Sequence, residues 1–182
     1  MKNPKLASRY AQALFDFAET HSKIEEIYTD ILLINNVLKD NIELKKVIES
    51  PHIPLTKKSD IFHAIFNAKI DELSINFLQL IIKKRRVPEL HIILDEFIQI
   101  YYRFNNIKVA QITLPTSIND SITNEICAIL AKEFHCKIIM KVTIDPNIIG
   151  GIIIKVDDIL IDASILSKIK KLRTEFSQNQ YK

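Results

Sequence analysis

The sequence predicts an α+β protein: an N-terminal six-helix bundle over residues 1–105, then a smaller α/β domain over 106–182 with a mixed sheet and a β-hairpin. Three observations predict it. Apolar residues recur at helical spacing through the first hundred residues, in short runs separated by prolines and polar breaks. From Lys108 onward the pattern becomes alternating and β-branched, interleaved with helical segments. The only two glycines of the 182 residues stand side by side at Gly150 and Gly151. A chain that otherwise avoids glycine uses it there for a local backbone reason, a bulge or a tight crossing.

Taken in order, Pro4 suits a first helical turn, and Leu6, Tyr10, Ala13, Leu14 and Phe17 recur along the first helix. Ala7, Ala11 and Ala18 flank that stripe, where small side chains let another helix come close. Ile24, Ile27, Tyr28, Ile31, Ile34 and Leu38 mark a second helix. Leu44, Val47 and Ile48 mark a short third, stopped by the SPHIP stretch at 50–54. A fourth helix, opened by Pro54 and Thr56, carries Ile61, Phe62, Ile65 and Phe66; a sixth starts at Pro88 and carries Leu90, Ile93, Leu94, Phe97 and Tyr101. Between them the fifth, over 71–84, is unusually apolar. Leu73, Phe77, Leu80 and Ile81 cluster on one side, and Ile75, Leu78 and Ile82 on nearly the opposite side. Either it is the central helix, wrapped on all sides, or one stripe joins the first helix in walling a groove for a partner's amphipathic helix.

Past Asn105 and Asn106, residues 108–114 read as a strand and 115–119 as a turn. Ile122, Ile126, Ile129, Leu130 and Phe134 then form a helix, followed by a strand over 137–144 and a turn at Asp145 and Pro146. Residues 152–156, then Asp157 and Asp158, then 159–161 make a strand, a two-residue turn and a strand. Asp162 and Ser164 stand where a helix N-cap is wanted, ahead of Ile165, Leu166, Ile169 and Leu172. Residues 177–182 are polar enough to fray.

Composition narrows the function classes. With 47% hydrophobic residues the chain can bury real cores, and a net charge of +3 argues only weakly for nucleic acid. Cys127 and Cys136 suit a reducing compartment. The N-terminus has no apolar core of signal-peptide length, and no apolar run approaches the roughly 20 residues needed to cross a bilayer. Chemistry is searched for with little return. Phosphate-cradling loops need more glycines than two, and no nucleophile-elbow glycines frame a serine. His135, Cys136 and Cys127 lack zinc spacing, and Asp145, Asp157, Asp158 and Asp162 read as two turns and a cap rather than a cation cluster. No metal and no cofactor is expected. The charge run Lys83-Lys84-Arg85-Arg86 reads as a cationic helix end or a contact for an acidic partner, with phosphate binding as the alternative.

Four stretches carry a resemblance: ASRYAQALFDFA, SPHIPLTKKSDIF, FLQLIIKKRRVPELHIILDEFIQIY, and above all IDPNIIGGIIIKVDDILIDASI followed by a basic helix. In this order, and over essentially the whole chain, they resemble the delta subunit family of bacterial F-type ATP synthases, the oligomycin-sensitivity-conferring protein family. The absence of a transit extension fits the bacterial form. The resemblance implies a non-catalytic stator connector, one copy per complex, peripheral on the cytoplasmic face of the bacterial plasma membrane. It implies that the bundle binds the N-terminal helix of an alpha subunit between its first and fifth helices, through Tyr10, Ala13, Phe17, Phe77 and Leu80. It implies that the second domain, with its structural motif of Asp145, Pro146, Gly150, Gly151, Asp162 and Ser164, holds the C-terminal end of the b-subunit stalk. The alternative is an RNA-binding or assembly-factor protein using the helical bundle and the basic run at 83–86.

Overall fold

The computed structural model describes residues 4–179, those after 173 by their backbone alone. Among the described residues, eight α-helices and a four-stranded sheet make an α+β fold. The chain divides into two compact units, Met1–Phe104 and Asn105–Lys182.

The first unit holds α1 (Pro4–Thr20), α2 (Ile24–Asp40), α3 (Ile42–Glu49), α4 (Leu55–Phe66), α5 (Glu72–Lys83) and α6 (Leu90–Phe104). α6 is its spine: α1 and α2 both pack along it, while α4 packs against α5. Ile93, Leu94 and Phe97 of α6 are fully buried with Ile27, Ile31 and Ile34 of α2. From α1 the core receives Ala7, Ala11 and Ala18, all at 0% exposure, together with Leu14 and Phe15. The alanines that flank the apolar stripe are therefore the core-facing side of α1, because small side chains allow the close approach of α6. Phe15, which the periodicity passes over, meets Phe97 with ring centroids 6.0 Å apart and Phe104 at 5.2 Å. Pro88 does not open α6 directly; it sits in a 3-10 turn, Val87–Glu89, that precedes it.

The two stripes read on α5 are redrawn by the structure. Ile81, grouped with Leu73, Phe77 and Leu80, is fully buried, and so are Leu78 and Ile82 of the opposite group. A broad buried face formed by Ser74, Phe77, Leu78, Ile81 and Ile82 takes the middle of both groups and leaves Leu73 half-buried and Leu80 exposed at its edge.

The second unit holds β1 (Ile107–Leu114), α7 (Asp120–Phe134), β2 (Lys137–Ile144), β3 (Ile153–Val156), β4 (Ile159–Asp162) and α8 (Ile165–Asn179). The strand order is β2-β1-β3-β4. β1 and β2 run parallel, with Ile107 opposite Lys137 and Leu114 opposite Ile144, so α7 is the crossover that a parallel pair requires. β3 pairs antiparallel with β1, Ala110 opposite Val156, and with β4 through the turn at Asp157 and Asp158. Ala110, Ile112, Leu114, Leu130 and Val156 form the core, with Ile126 and Phe134 of α7 packed against it. Asn119 caps α7 by accepting from the Ile122 amide at 3.0 Å, and His135 in the left-handed region ends it. α8 remains helical to Asn179, past the start of the segment expected to fray; residues 180–182 lie outside the described residues.

The glycine pair is a crossing and not a strand bulge. It lies between a 3-10 turn, Pro146–Ile148, and β3. Gly151 has φ +80, and a Cβ there would sit 2.3 Å from the Ala163 carbonyl oxygen. At Gly150 a Cβ would meet only the tip of the Ile165 side chain, at 2.5 Å. The chain thus passes backbone against backbone under the entrance of α8, which only a residue without a side chain permits. The Gly150 carbonyl accepts from the Ile165 amide at 2.9 Å, closing the crossing.

Candidate docking groove

α1 and α5 leave an open groove of about 910 Å³ between them. It exists because each helix has a buried face and an apolar outer stripe. Leu6, Tyr10, Ala13 and Phe17 recur at i, i+4, i+7 and i+11 on α1, and Leu73, Phe77 and Leu80 at i, i+4 and i+7 on α5. All five side chains singled out on the two helices, Tyr10, Ala13, Phe17, Phe77 and Leu80, line it. Phe77 forms its floor, while Phe17 is 47% and Leu80 41% exposed. Leu6, Leu73 and Asn76 line it as well, one turn or less from the residues named from the sequence. Lys5 and Arg9 add positive charge on the α1 side, and no acidic side chain lines it.

A polar tie fixes the N-terminus of α5, and so one wall of the groove. Asp71 caps α5 by accepting from the Leu73 amide at 2.9 Å, and Asp30 of α2, itself buried, accepts from the Asp71 amide at 2.8 Å and from the Ser74 hydroxyl at 2.6 Å. Lys23, in the α1–α2 connection, pairs with Asp71 at 2.6 Å. The hydrogen bond from Lys23, then that from the Leu73 amide, hold the Asp71 carboxyl below its ordinary range, and Asp71 in turn raises Lys23.

In the second unit, Asp145 accepts from the Asn147 amide at 3.0 Å and opens the 3-10 turn at Pro146. Ser164 caps α8 through the Ser167 amide at 3.2 Å, and Asp162 accepts from the Ser164 amide and the Ser167 hydroxyl. These three residues, with the glycine pair, shape one contiguous corner of backbone. Cys127 and Cys136 are free thiols. Among the described residues no group of three or more His, Cys, Asp or Glu side chains converges to hold a metal. The four basic residues after α5 do not form one patch: Arg86 faces Glu89 at 3.7 Å, and Arg85 lines a separate cavity.

A two-helix groove on an all-helical unit, followed by this four-stranded unit, is compared with known proteins in three ways. The family model for the ATP synthase delta (OSCP) subunit matches residues 6–176. The chain belongs to this family. Among curated relatives, an ATP synthase subunit delta of Clostridium botulinum (strain Loch Maree) is 30% identical over 92% of this chain and 94% of its own length. One from Clostridium perfringens (strain 13) is 32% identical over the same shares. A chain in the cryo-EM structure of the Toxoplasma gondii mitochondrial ATP synthase hexamer shares the fold, with TM-score 0.75 and 22% identity over 94% of this chain and 97% of that one. As a delta (OSCP) family member the protein is a structural stator-connector subunit and not an enzyme. It is a peripheral part of a membrane-bound complex, and among the described residues no helix is long and apolar enough to cross a membrane. The comparisons lend no support to the RNA-binding alternative.

Proposed function

We propose that the six helices of the first unit act as one bundle that seats the N-terminal helix of an ATP synthase alpha subunit between α1 and α5. The groove of about 910 Å³ carries this reading, since two apolar stripes facing open space are what an amphipathic helix covers. Lys5 and Arg9 on its wall favour an occupant with acidic residues beside its apolar face. The second unit, on this reading, holds the C-terminal end of the b-subunit stalk. Its edge strand β4 exposes Ile159, Leu160 and Ile161, and α8 exposes Ile165, Ile169 and Leu172, a larger apolar surface than a free unit needs. One copy bridging head and stalk on the cytoplasmic face of the plasma membrane resists rotor torque while other subunits conduct protons and make ATP. Reconstitution tests this directly. Membranes stripped of the subunit lose coupling of proton flow to synthesis, and adding the protein back restores it. Coupling that is unchanged by its removal and return refutes the proposal.

A further inference from the structure

The basic run splits, and one part of it meets a buried lysine. Lys83 and Lys84 are exposed at the end of α5, and Arg86 is engaged with Glu89. Arg85, held at φ 58, instead lines a cavity of about 330 Å³ beside the connection from α3 to α4. In the same wall stands Lys58 of α4, only 5% exposed. Lysine is almost never so buried unless it is paired, because an ammonium removed from water loses its hydration. Yet among the described residues Lys58 has neither an ion pair nor a side-chain hydrogen bond. Glu49 lines the cavity too but forms no ion pair with it. Pro51, Pro54 and Pro88 complete much of the wall. Prolines offer carbon surface and no amide donor, so recognition of an anion there falls to Lys58 and Arg85.

We propose that this cavity is a binding site for a small monocarboxylate, its carboxylate held by Lys58 and Arg85 and its carbon body against the prolines. Two cations against the one carboxylate of Glu49 leave a net charge of +1, which matches a singly charged anion better than a phosphate dianion. The volume lies at the low end for ligand sites and suits a ligand of a few carbons rather than a nucleotide. The site is independent of the α1–α5 groove.

The test is an amide NMR titration of the full chain with butyrate, with inorganic phosphate, and with a short peptide bearing a single glutamate. Butyrate is expected to shift the amides of Leu55, Lys58, Arg85 and Val87 saturably, and more tightly than phosphate or the peptide. Lys58→Met is expected to abolish saturation, and Arg85→Ala to weaken binding about fivefold. Arg85 is exposed, so its variant carries the test even where Lys58→Met disturbs folding. Shifts that never saturate, phosphate or the peptide binding more tightly than butyrate, or undiminished butyrate affinity in Arg85→Ala each overturn the proposal.

Discussion

Ala13→Asp separates docking from folding at the groove. Ala13 is exposed on α1, with Tyr10 three residues before it and Phe17 four residues after it, so its Cβ stands in the middle of the apolar stripe. In the free protein the new carboxylate points to water. The folding cost is then the loss of alanine's helix preference, about 0.7 kcal/mol. In the docked state the same carboxylate is covered by an apolar helix face, and leaving a charge there unpaired costs about 2–3 kcal/mol or more. Arg9, one turn earlier in the same wall, offsets part of this, so the lower figure is the one to expect. About 2 kcal/mol is a thirtyfold loss of affinity. For comparison, a fully buried Phe or Leu contributes about 1.5–3 kcal/mol. Phe17 and Leu80 are each roughly half exposed before docking, so Phe17→Ala and Leu80→Ala should each cost about 1 kcal/mol of binding. The assay is calorimetric titration of the full chain with a synthetic peptide of the alpha-subunit N-terminus, alongside a circular dichroism melt. Affinity within twofold of the parent refutes the placement of the partner. A collapsed melt refutes it differently, by showing that Ala13 supports the core.

Three further outcomes test the frame around the groove and the second unit. Gly151→Ala should destabilise the protein by about 3 kcal/mol, since positive φ costs about 1–2 kcal/mol and the Cβ also strikes the Ala163 carbonyl. Gly150→Ala should cost only about 1 kcal/mol because the Ile165 side chain can swing away, and equal losses in denaturant unfolding would contradict the crossing. The Asp162 carboxyl, held down to about 2 by the hydroxyls of Ser167 and Ser164 and by the Ser164 amide, stabilises the fold above about pH 4 and loses that contribution as pH falls toward 2. A carboxyl titration by NMR with its midpoint near pH 4 would show that the hydrogen bonds are not maintained. Asp30→Ala removes the acceptor for the Ser74 hydroxyl and the Asp71 amide and should cost about 2 kcal/mol in urea unfolding at unchanged slope. A loss under about 0.5 kcal/mol would mean that the tie to α5 is dispensable.

Much of the element map is legible because period and punctuation agree. β2 begins and ends at the residues its alternation marks, and the Asp157-Asp158 pair joins β3 to β4 as a two-residue turn. What periodicity does not reveal is which apolar face meets which neighbour. On α1 the more hydrophobic-looking stripe is the open one, and the alanine face is buried, because α6 comes closest where side chains are smallest. On α5 the buried arc is wider than either stripe, so Ile81 joins the core although it follows Leu80 directly. Leu6 and Leu73 belong to the same rows as Tyr10 and Phe77 and could have been added to the groove by extending each row one turn. Lys58 had no such signal. In the Lys57-Lys58 doublet it looks solvated, and it lies in the wall of a cavity completed by the 50–54 segment and the turn at Pro88, both distant from it along the helix pattern.

The groove's worth as a joint depends on its walls being set before the partner arrives. Association loses affinity to every side chain and segment that must be ordered on binding. Here the α1 wall is backed by Ala7, Ala11 and Ala18 buried in the core shared with α6, and the α5 wall by Phe77, Leu78, Ile81 and Ile82. The Asp30, Asp71 and Lys23 tie then fixes where α5 begins relative to α2 and the end of α1. A connector under load fails first where an element can slide, and α5 contacts solvent along one edge. A charged, hydrogen-bonded anchor at its N-terminus resists sliding along the helix axis in a way that non-directional apolar packing does not. The tie weakens as acid protonates Asp71, below the ordinary carboxylate range, so peptide affinity should fall with pH there while the apolar contacts remain intact. If affinity instead stays flat until the whole unit unfolds, apolar packing alone holds the wall and the tie has no mechanical part.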